Sequence, residues 1–521
     1  MKRKEHETEG AYPGADLRFI LKTSVRDRSL PYAPLGIAAV MATRILCRSH
    51  LLYDLDSVNF ALGMARFDPG AHQPHPPGYF LYVCLARLVN RVLSDPNTAL
   101  VTVSIAASCG AAWMIYLLTE RWFGRGAARM SILLFLASPL GWFHGIVALT
   151  YMVEAFFSAS IGYLCWRAYS GEKAFVLPAT ITFALAAGFR PSTALMLAPL
   201  WLFSIRRERG IRLGLAILAA VAVTVAWFLP MTAAAGGWRA YFDALVQLWH
   251  TVPGQRTTLS SPWLAVARVF TMAWILVLVF GSASVLALGP KARKDAGQPG
   301  RAGFVWAWIA PGLCFFALVF LNFVNSGYLL VLCPPLFAFA ATRLYTFVSY
   351  DDYRGARWAA VTAGVAANCA FFFFAPLYCS YKSVREFEAN MTATVQDFDG
   401  NLDPRTTLIV GFDSHFQGYR HAGYYLPHFV TVQYPELAYP GGKRVFVMHE
   451  RNTEVVGRVP VDRFERFVLF PLPQGQQYAT FLDTVQAKLP RGALANTVIG
   501  RRKALMGPVS LLPVLFPETA R

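Results

Sequence analysis

The chain has 521 residues, of which 55% are apolar and only 15% are charged. Average soluble domains are about one quarter charged, so this composition, with its long apolar runs, indicates a membrane protein. It excludes a disordered chain, a coiled coil and an ordinary cytosolic enzyme. The net charge of +18 could suggest nucleic-acid binding, but the basic residues are spread between the apolar runs, and membrane topology explains them better.

Eleven apolar segments are candidates for crossing about 30 Å of hydrocarbon at about 1.5 Å per residue. The third to the sixth are short and closely spaced, so some of them can be half-spans. The predicted spans are 33–52, 98–119, 128–148, 150–168, 174–189, 191–205, 213–235, 262–289, 303–321, 328–347 and 358–378.

Lysine and arginine clusters precede the first predicted span and follow the second, sixth, eighth and tenth. Short positive loops stay in the cytoplasm, so an odd number of spans places the tail on the other side. The sequence predicts a cytoplasmic tail over 1–32, a transmembrane module over 33–379 with its first external loop at 53–97, and an extracytoplasmic domain over 380–521. For the whole chain we expect a multi-pass protein of a bacterial inner membrane.

The tail is predicted to be a small α/β domain. Four apolar runs are typical of strands: 407–412, 429–434, 444–449 and 466–471. A helix through 413–426 would make the first two strands a right-handed βαβ unit. All eight cysteines precede residue 380, so this domain has no disulfide framework, and the cysteines are interpreted as small apolar residues of membrane helices.

The first external loop carries most of the residues suited to chemistry. Asp54 and Asp56 directly follow a span, where crowding can raise a carboxyl pKa and prepare a general base, although simple interfacial solvation is the alternative. Asp68, His72 and His75 follow within the same loop, and a rigid Pro-Pro-Gly turn comes next. The two histidines could bind a divalent cation together with Asp54 or Asp56, but their spacing does not specify a metal.

An acidic pair followed by HPPGY (75–79) resembles the first external loop of GT-C glycosyltransferases, nearest to the protein O-mannosyltransferase and aminoarabinose transferase branch. The run GYLLVLCPPLFAFAA (327–341), which includes Tyr328, resembles a late span of the same enzymes. The resemblance covers most of the membrane part and implies a mainly α-helical GT-C bundle. It also implies inverting transfer of a sugar, mannose-like or other, from a polyprenyl-phosphate donor to an acceptor hydroxyl on a glycan, lipid or protein.

The resemblance assigns the general base to the first loop. In the family the acidic residue is usually followed by Glu, whereas here Asp56 is followed by Ser57. Asp56 is favoured because SVNFALGM continues like the family's helix, and Asp54 is the alternative. Tyr328, with Asp68, His72 and His75, would line the substrate cavity.

Five arginines are candidates for the donor phosphate, since cations must take up the charge that develops on it. Arg44 and Arg48 lie one helical turn apart near the outer end of the first span, where the alternative is that they only extend toward the interface. Arg190, Arg239 and Arg256 are the others.

Glu154 and Arg190 are the ionisable residues set most plainly among apolar neighbours. Charge inside a bilayer is costly, so either a functional role in the substrate cavity or a structural ion pair is expected. His144 could line the same cavity, but a hydrogen-bonded residue at a helix end is the favoured interpretation.

Three other interpretations stay open. Aromatic residues cluster in the second outside loop, 236–261, where an interfacial amphipathic helix is favoured over a surface that stacks on sugars. The chain could also be a transporter or lipid flippase. Transporters often show inverted repeats and ionisable residues at mid-bilayer, whereas the acidic residues here concentrate in an external loop. It could finally be a non-catalytic assembly factor whose outer domain binds a glycan or a partner protein. A nucleic-acid partner is not expected.

Overall fold

The structure, a computed structural model, describes residues 32–251, 262–287, 300–349, 353–439, 441–470, 483–499 and 502–520. Each predicted apolar segment contains a helix, and helices also form in the two outside loops and at the start of the tail. These helices are α1 (Tyr32–Cys47), α2 (Leu55–Ala65), α3 (Phe80–Leu93), α4 (Pro96–Phe123), α5 (Arg125–Leu136), α6 (Pro139–Ile146), α7 (Tyr151–Tyr169), α8 (Val176–Phe189), α9 (Pro191–Ile205), α10 (Ile211–Ala234), α11 (Trp238–Thr251), α12 (Trp263–Phe280), α13 (Arg301–Leu318), α14 (Cys333–Ser349), α15 (Arg354–Phe374) and α16 (Tyr381–Asn401).

In the part of the chain that the structure describes, six helices are long and apolar enough to cross a membrane. They are α4, α10, α12, α13, α14 with the turn before it, and α15. A seventh span is possible if α5 and α6, which meet at 61°, are one bent span, and three further apolar helices are shorter. The chain is therefore a multi-pass helical bundle, whereas the predicted count of eleven spans stays a prediction.

Helix α4 lies at the centre of the bundle, packed against α5, α7 and α14. More than half of the most apolar stretch of α4 is buried inside the protein, against about a tenth for α10 and α15, which lie at the surface of the bundle. Asp95 caps α4 by accepting a hydrogen bond from the Thr98 amide at 2.7 Å. Ser138 caps α6 and donates to the Val279 carbonyl at 2.6 Å, which ties the bend between α5 and α6 to α12.

The tail folds as the predicted α/β domain around one sheet of order β3-β4-β2-β1-β6-β8-β7, with β5 paired to β4. β1 runs parallel to both β2 and β6, which confirms the predicted βαβ unit, but helix α17 is shorter than expected. The elements are β1 (Thr407–Phe412), α17 (Tyr419–Tyr425), β2 (Val430–Tyr434), β3 (Leu437–Tyr439), β4 (Gly442–His449), β5 (Asn452–Val456), β6 (Arg466–Leu469), β7 (Ala495–Ile499), β8 (Arg502–Pro508) and a last helix α18 (Leu512–Leu515).

The four strands β3, β5, β7 and β8 were not expected from the sequence. β5 is joined to β4 by a tight turn whose residues Glu450 and Arg451 both have positive φ, so the usual glycine signal for a hairpin is missing there. The predicted fourth strand ends at Leu469, and position 471 lies outside the described residues.

The C-terminal domain is docked directly on the first loop. The Leu52 amide donates to the Tyr425 hydroxyl at 2.8 Å, and Arg420, which is fully buried, donates to the Ala71 carbonyl at 2.7 Å. On α16, Glu388 accepts a hydrogen bond from the His50 amide at 2.6 Å. These contacts place loop and domain on the same side of the bundle. Of the predicted cytoplasmic tail, residues 1–31 lie outside the described residues.

Candidate functional site

The two carboxylates of the acidic pair have different surroundings. Asp54 caps helix α2, since its Oδ1 accepts a hydrogen bond from the Asp56 amide at 2.9 Å. An Asp at this position is a strong helix start, because it satisfies an amide that has no partner within the helix. Asp56 stands in the first turn of α2, so the positive end of the helix also favours its ionised form.

Asp56 faces a histidine from the middle of the first loop, and this histidine contacts a tyrosine. Its Oδ1 lies 3.2 Å from Nδ1 of His75, and Nε2 of His75 lies 3.1 Å from the Tyr79 hydroxyl. Burial raises the pKa of Asp56, but His75, and beyond it His415 and Arg190, hold that pKa below its usual value. The carboxylate is therefore ionised at neutral pH, as a general base requires.

Arg190 lies among the rings of three tyrosines. It occupies the junction between α8 and α9, and only 4% of the residue is exposed. The carbon at the centre of its guanidinium lies 4.4 Å from the ring centre of Tyr328, 4.7 Å from that of Tyr151 and 5.6 Å from that of Tyr79. The faces of these rings are negative, so they stabilise a cation that has lost its water.

Arg190 also has polar partners. Its Nη1 donates to the Thr150 hydroxyl at 2.8 Å and lies 3.5 Å from Oε2 of Glu154, whose other oxygen accepts a hydrogen bond from Thr193. The predicted structural pair is thus present. The same arrangement holds the guanidinium beside the ring of Tyr79, whose hydroxyl contacts His75, the partner of Asp56.

His415, from the C-terminal domain, completes the group on the loop side. Its Nδ1 lies 3.7 Å from Oδ2 of Asp54. Burial lowers its pKa, but Asp54, Asp56 and Asp413 more than offset this and raise it to about 9. Burial in turn raises the pKa of the Asp413 carboxyl.

Sequence reasoning missed this contribution from the tail. The signal was present, since Asp413 and His415 directly follow β1, and ligands of α/β sheets gather at the carboxyl ends of parallel strands where the strand order reverses. β1 lies between its parallel partners β2 and β6, which is such a point. Tyr79 and Tyr151, the two further rings around Arg190, were also missed.

The remaining first-loop candidates are placed outside this group. Asp68 caps a short helical turn, accepting from the Ala71 amide at 3.2 Å, and its carboxylate pairs with Arg66 at 3.2 Å. The His72 ring packs on Phe446 with ring centres 5.0 Å apart, and burial lowers its pKa to about 3. Within the described ranges no three His, Cys, Asp or Glu side chains converge as a metal site would require. A role for Asp68 or His72 in the cavity stays a prediction.

The other arginines are dispersed. Arg44 is fully buried and donates to the carbonyls of Leu136 and Phe135 at the end of α5, at 3.3 and 3.4 Å, so its hydrogen bonds favour a structural role. Arg48, directly after α1, donates to the Ile45 carbonyl of that helix at 3.3 Å. Arg239 is exposed on α11, and Arg256 lies outside the described residues. The helix α11 is the helix predicted for the second outside loop. Phosphate binding by any of them stays a prediction.

His144 packs beside the tyrosines around Arg190. Its ring centre lies 4.9 Å from that of Tyr151, and only 1% of the residue is exposed. Neither ring nitrogen has a hydrogen-bond partner among the described residues. His144 does lie in the last turn of α6, as expected, but the structure shows no hydrogen bond to its ring from the described residues.

Comparison with known proteins places the fold. No protein-family model matches the sequence, and no curated protein matches it. The structure of ArnT from Cupriavidus metallidurans bound to undecaprenyl phosphate is similar with a TM-score of 0.56 and 14% identity, over 92% of this chain and 98% of that one. The apo structure of the same protein has a TM-score of 0.55 and 11% identity, over 93% of this chain and 98% of that one. The oligosaccharyltransferase AglB from Archaeoglobus fulgidus has a TM-score of 0.44 and 14% identity, over 84% of this chain and 69% of that one. The ArnT likeness runs through both the bundle and the C-terminal domain, so the chain has the GT-C fold of integral-membrane glycosyltransferases.

Proposed function

We propose that this protein is an inverting glycosyltransferase that moves a sugar from a polyprenyl-phosphate donor to an acceptor hydroxyl. The observation that carries the proposal is the juxtaposition of an ionised carboxylate, Asp56, with a buried cation, Arg190, where the first loop meets the bundle. Tyr79 joins the two, since it contacts His75 on one side and Arg190 on the other.

The reaction needs a base on one face of the sugar and a leaving group on the other. In the proposed step the acceptor oxygen bonds to the anomeric carbon, its proton passes to Asp56, and the bond from that carbon to the phosphate oxygen breaks. Arg190 takes up the negative charge that grows on the departing lipid phosphate. His75, whose Nδ1 lies beside Oδ1 of Asp56, orients the carboxylate.

The donor class is supported by the fold. The similar ArnT structure holds undecaprenyl phosphate, an anionic lipid that reaches an enzyme through the bilayer. The aromatic rings of Tyr151 and Tyr328 lie against Arg190 and belong to apolar helical segments of the bundle. A polyprenyl chain lying between such segments would bring its phosphate to Arg190. The sugar is proposed to be mannose-like, and the acceptor a glycan, lipid or protein.

The site is proposed to face away from the cytoplasm. The first loop and the C-terminal domain contact each other, so both lie on one side. Arginines at the junction of α4 and α5 (Arg121 and Arg125) and in the loop between α9 and α10 (Arg206, Arg207 and Arg209) would keep these segments in the cytoplasm. An inner bacterial membrane with the domain on its outer side fits this arrangement.

The decisive test is transfer by the Asp56→Asn variant. Purified protein in detergent is incubated with a panel of radiolabelled polyprenyl-phosphate sugars and membrane extract, and labelled products are identified. Asp56→Asn is expected to lose about 1,000-fold or more in rate, since it cannot accept the proton. Asp95→Asn, the same change at the exposed cap of α4, is the matched control and is expected to keep the rate.

Transfer at the normal rate by Asp56→Asn would contradict the assignment of the base. Movement of labelled lipid across reconstituted vesicles with no new glycosidic bond would instead favour the transporter alternative. Labelled product that forms with the wild-type chain, but not with the membrane extract alone or with the extract and Asp56→Asn, excludes the non-catalytic assembly factor.

A further inference from the structure

We propose that His415 of the C-terminal domain is a positioning residue for Asp56: it holds Asp54, the cap of helix α2, and so fixes where the Asp56 carboxylate stands. This inference rests on the proposed function. It makes the C-terminal domain part of the reaction site and not merely a recruiting module.

The side-chain link runs through Asp54. One carboxylate oxygen of Asp54 accepts from the amide of Asp56, and the other lies 3.7 Å from Nδ1 of His415. A single side chain therefore joins the N-terminus of α2 to the domain. A cap residue held on both sides leaves the first turn of the helix little freedom to rotate.

The main chain of His415 holds the same helix end independently. Its carbonyl accepts a hydrogen bond from the amide of Leu55, the first residue of α2, at 2.8 Å. Amides of the first turn have no hydrogen-bond partner within their helix, so the domain supplies an acceptor for one of them. Side chain and backbone of one residue thus fix two successive positions, Asp54 and Leu55, directly before Asp56.

The loop that carries His415 is itself well held. The Asp413 amide donates to the Tyr434 carbonyl at 2.9 Å, and the Ser414 hydroxyl donates to the Phe416 carbonyl at 2.8 Å. The Phe416 ring packs on Tyr53, with ring centres 4.9 Å apart. A rigid loop can transmit the position of the domain to α2.

The charges around His415 agree with this role. Three carboxylates face it: Asp54 and Asp56 from the loop, and Asp413 from its own segment. Arg420 is the nearby cation, and it acts on Asp413. The imidazole is therefore charged at neutral pH and attracts the cap, which a neutral side chain of similar size would not do.

The domain has other anchors, so loss of the His415 side chain should not release it. Arg420 donates to the Ala71 carbonyl, Tyr425 accepts from the Leu52 amide, and Gln73 bonds Thr453 at 2.8 Å. A positioning role can thus be separated from a docking role. Loss of docking would affect all of these contacts, whereas loss of positioning would affect α2 alone.

The experiment compares His415→Gln, which removes the charge, with His415→Arg, which keeps it. His415→Gln is expected to lower kcat about 10- to 100-fold with little change in the KM for the donor, since a displaced base slows the chemical step. His415→Arg is expected to recover part of kcat. His428→Gln, at an exposed histidine of the same domain, is the control and should match the wild type. The double variant Asp54→Asn with His415→Gln should have a kcat close to that of His415→Gln alone, because both changes remove the same contact.

Hydrogen exchange gives a readout that does not depend on transfer. His415→Gln should speed exchange of the Leu55 and Asp56 amides and leave that of Leu52 unchanged. An unchanged kcat, unchanged exchange at α2, or a loss that His415→Arg does not relieve would each overturn the inference. Asp56→Asn, measured in parallel, separates the failures: normal transfer by that variant contradicts the proposed function, whereas an inactive Asp56→Asn beside a normal His415→Gln contradicts the positioning role alone.

Discussion

Asp54 and Asp56 are two residues apart, yet the fold gives their carboxylates different partners. Asp54 caps α2 and faces His415. Asp56 faces His75, which contacts Tyr79, the neighbour of Arg190. The choice between them as general base is thus a question of which neighbour each one meets. Both oxygens of Asp54 have neighbours, one the amide at the start of α2 and the other the His415 ring, whereas Oδ1 of Asp56 faces the pair formed by His75 and Tyr79, which favours Asp56.

At the same scale, we predict that Arg190→Lys lowers the transfer rate about 100-fold although the charge is kept. A lysine ammonium cannot stack on three rings, nor can it keep the fork of hydrogen bonds that now reaches Thr150. Steady-state transfer with a saturating acceptor measures the effect. Arg91→Lys, an exposed arginine on α3, is the control, and an Arg190→Lys enzyme as fast as the wild type would contradict the prediction.

At the scale of elements, the site depends on a break in a helix. Residues Phe323–Leu332 form a 3₁₀ helix before α14, and Asn325 within it has non-helical backbone angles. The break brings Gly327 against the Tyr151 ring, where an added Cβ would lie 2.2 Å from the ring's Cγ. The next residue, Tyr328, lies against Arg190, so the break lies directly beside the site.

We therefore expect Gly327→Ala to displace Tyr151, lowering stability by about 1–3 kcal/mol and transfer along with it. Thermal unfolding in detergent and the transfer rate are measured on the same preparation. Gly355→Ala is the matched control, because its Cβ near the start of α15 would meet no atom within 4 Å. Equal behaviour of the two variants would show that the fit at Tyr151 is looser than the structure indicates.

Helix α17 makes the docked domain sensitive to acid. His421 on this helix is fully buried, and burial lowers its pKa from 6.5 to about 4. Between those values the unfolded chain binds the proton and the folded chain does not, so stability falls as pH drops from about 6.5 to about 4. The loss is on the order of 3 kcal/mol.

We predict that His421→Asn, which can still accept from the Gly418 amide, weakens this decline. Thermal unfolding midpoints at intervals from pH 4 to pH 8 give the slope for wild type and variant. His428→Asn, at an exposed position, is expected to retain the wild-type slope. Parallel slopes for His421→Asn and the wild type would argue against the buried neutral histidine.

At the scale of the whole molecule, topology and site are linked. The domain and the first loop meet at Asp54, so the proposed active site exists only if an even number of crossings separates them. The basic loops are predicted to lie on the opposite, cytoplasmic side. An exposed position in the domain, Val498, and one in the loop between α9 and α10, Arg209, therefore report on the two sides.

We predict that Val498→Cys reacts with a membrane-impermeant maleimide in intact cells, whereas Arg209→Cys reacts only after the membrane is opened. The unsubstituted chain gives the background from its eight native cysteines. The opposite pattern would place the site on the cytoplasmic side. Reaction of both positions in intact cells would mean that the two loops share a side, which contradicts the positive-inside assignment.

Local patterns were enough to predict the apolar helices, the strands β1, β2, β4 and β6, and the acidic start of α2. Each of these depends on the periodicity, length or capping of neighbouring residues, which the order of amino acids contains directly. The motif around Asp56 and His75 was recognisable for the same reason, because both residues belong to one loop.

The surroundings of Arg190 depend on contacts between distant parts of the chain. Its ring partners Tyr79, Tyr151 and Tyr328 come from three elements far apart in the sequence, and His415 comes from a separate domain. No local period records which of many tyrosines or histidines will meet a given arginine or aspartate. Packing of the bundle and docking of the domain make that choice, since they alone bring these side chains within a few ångströms of each other.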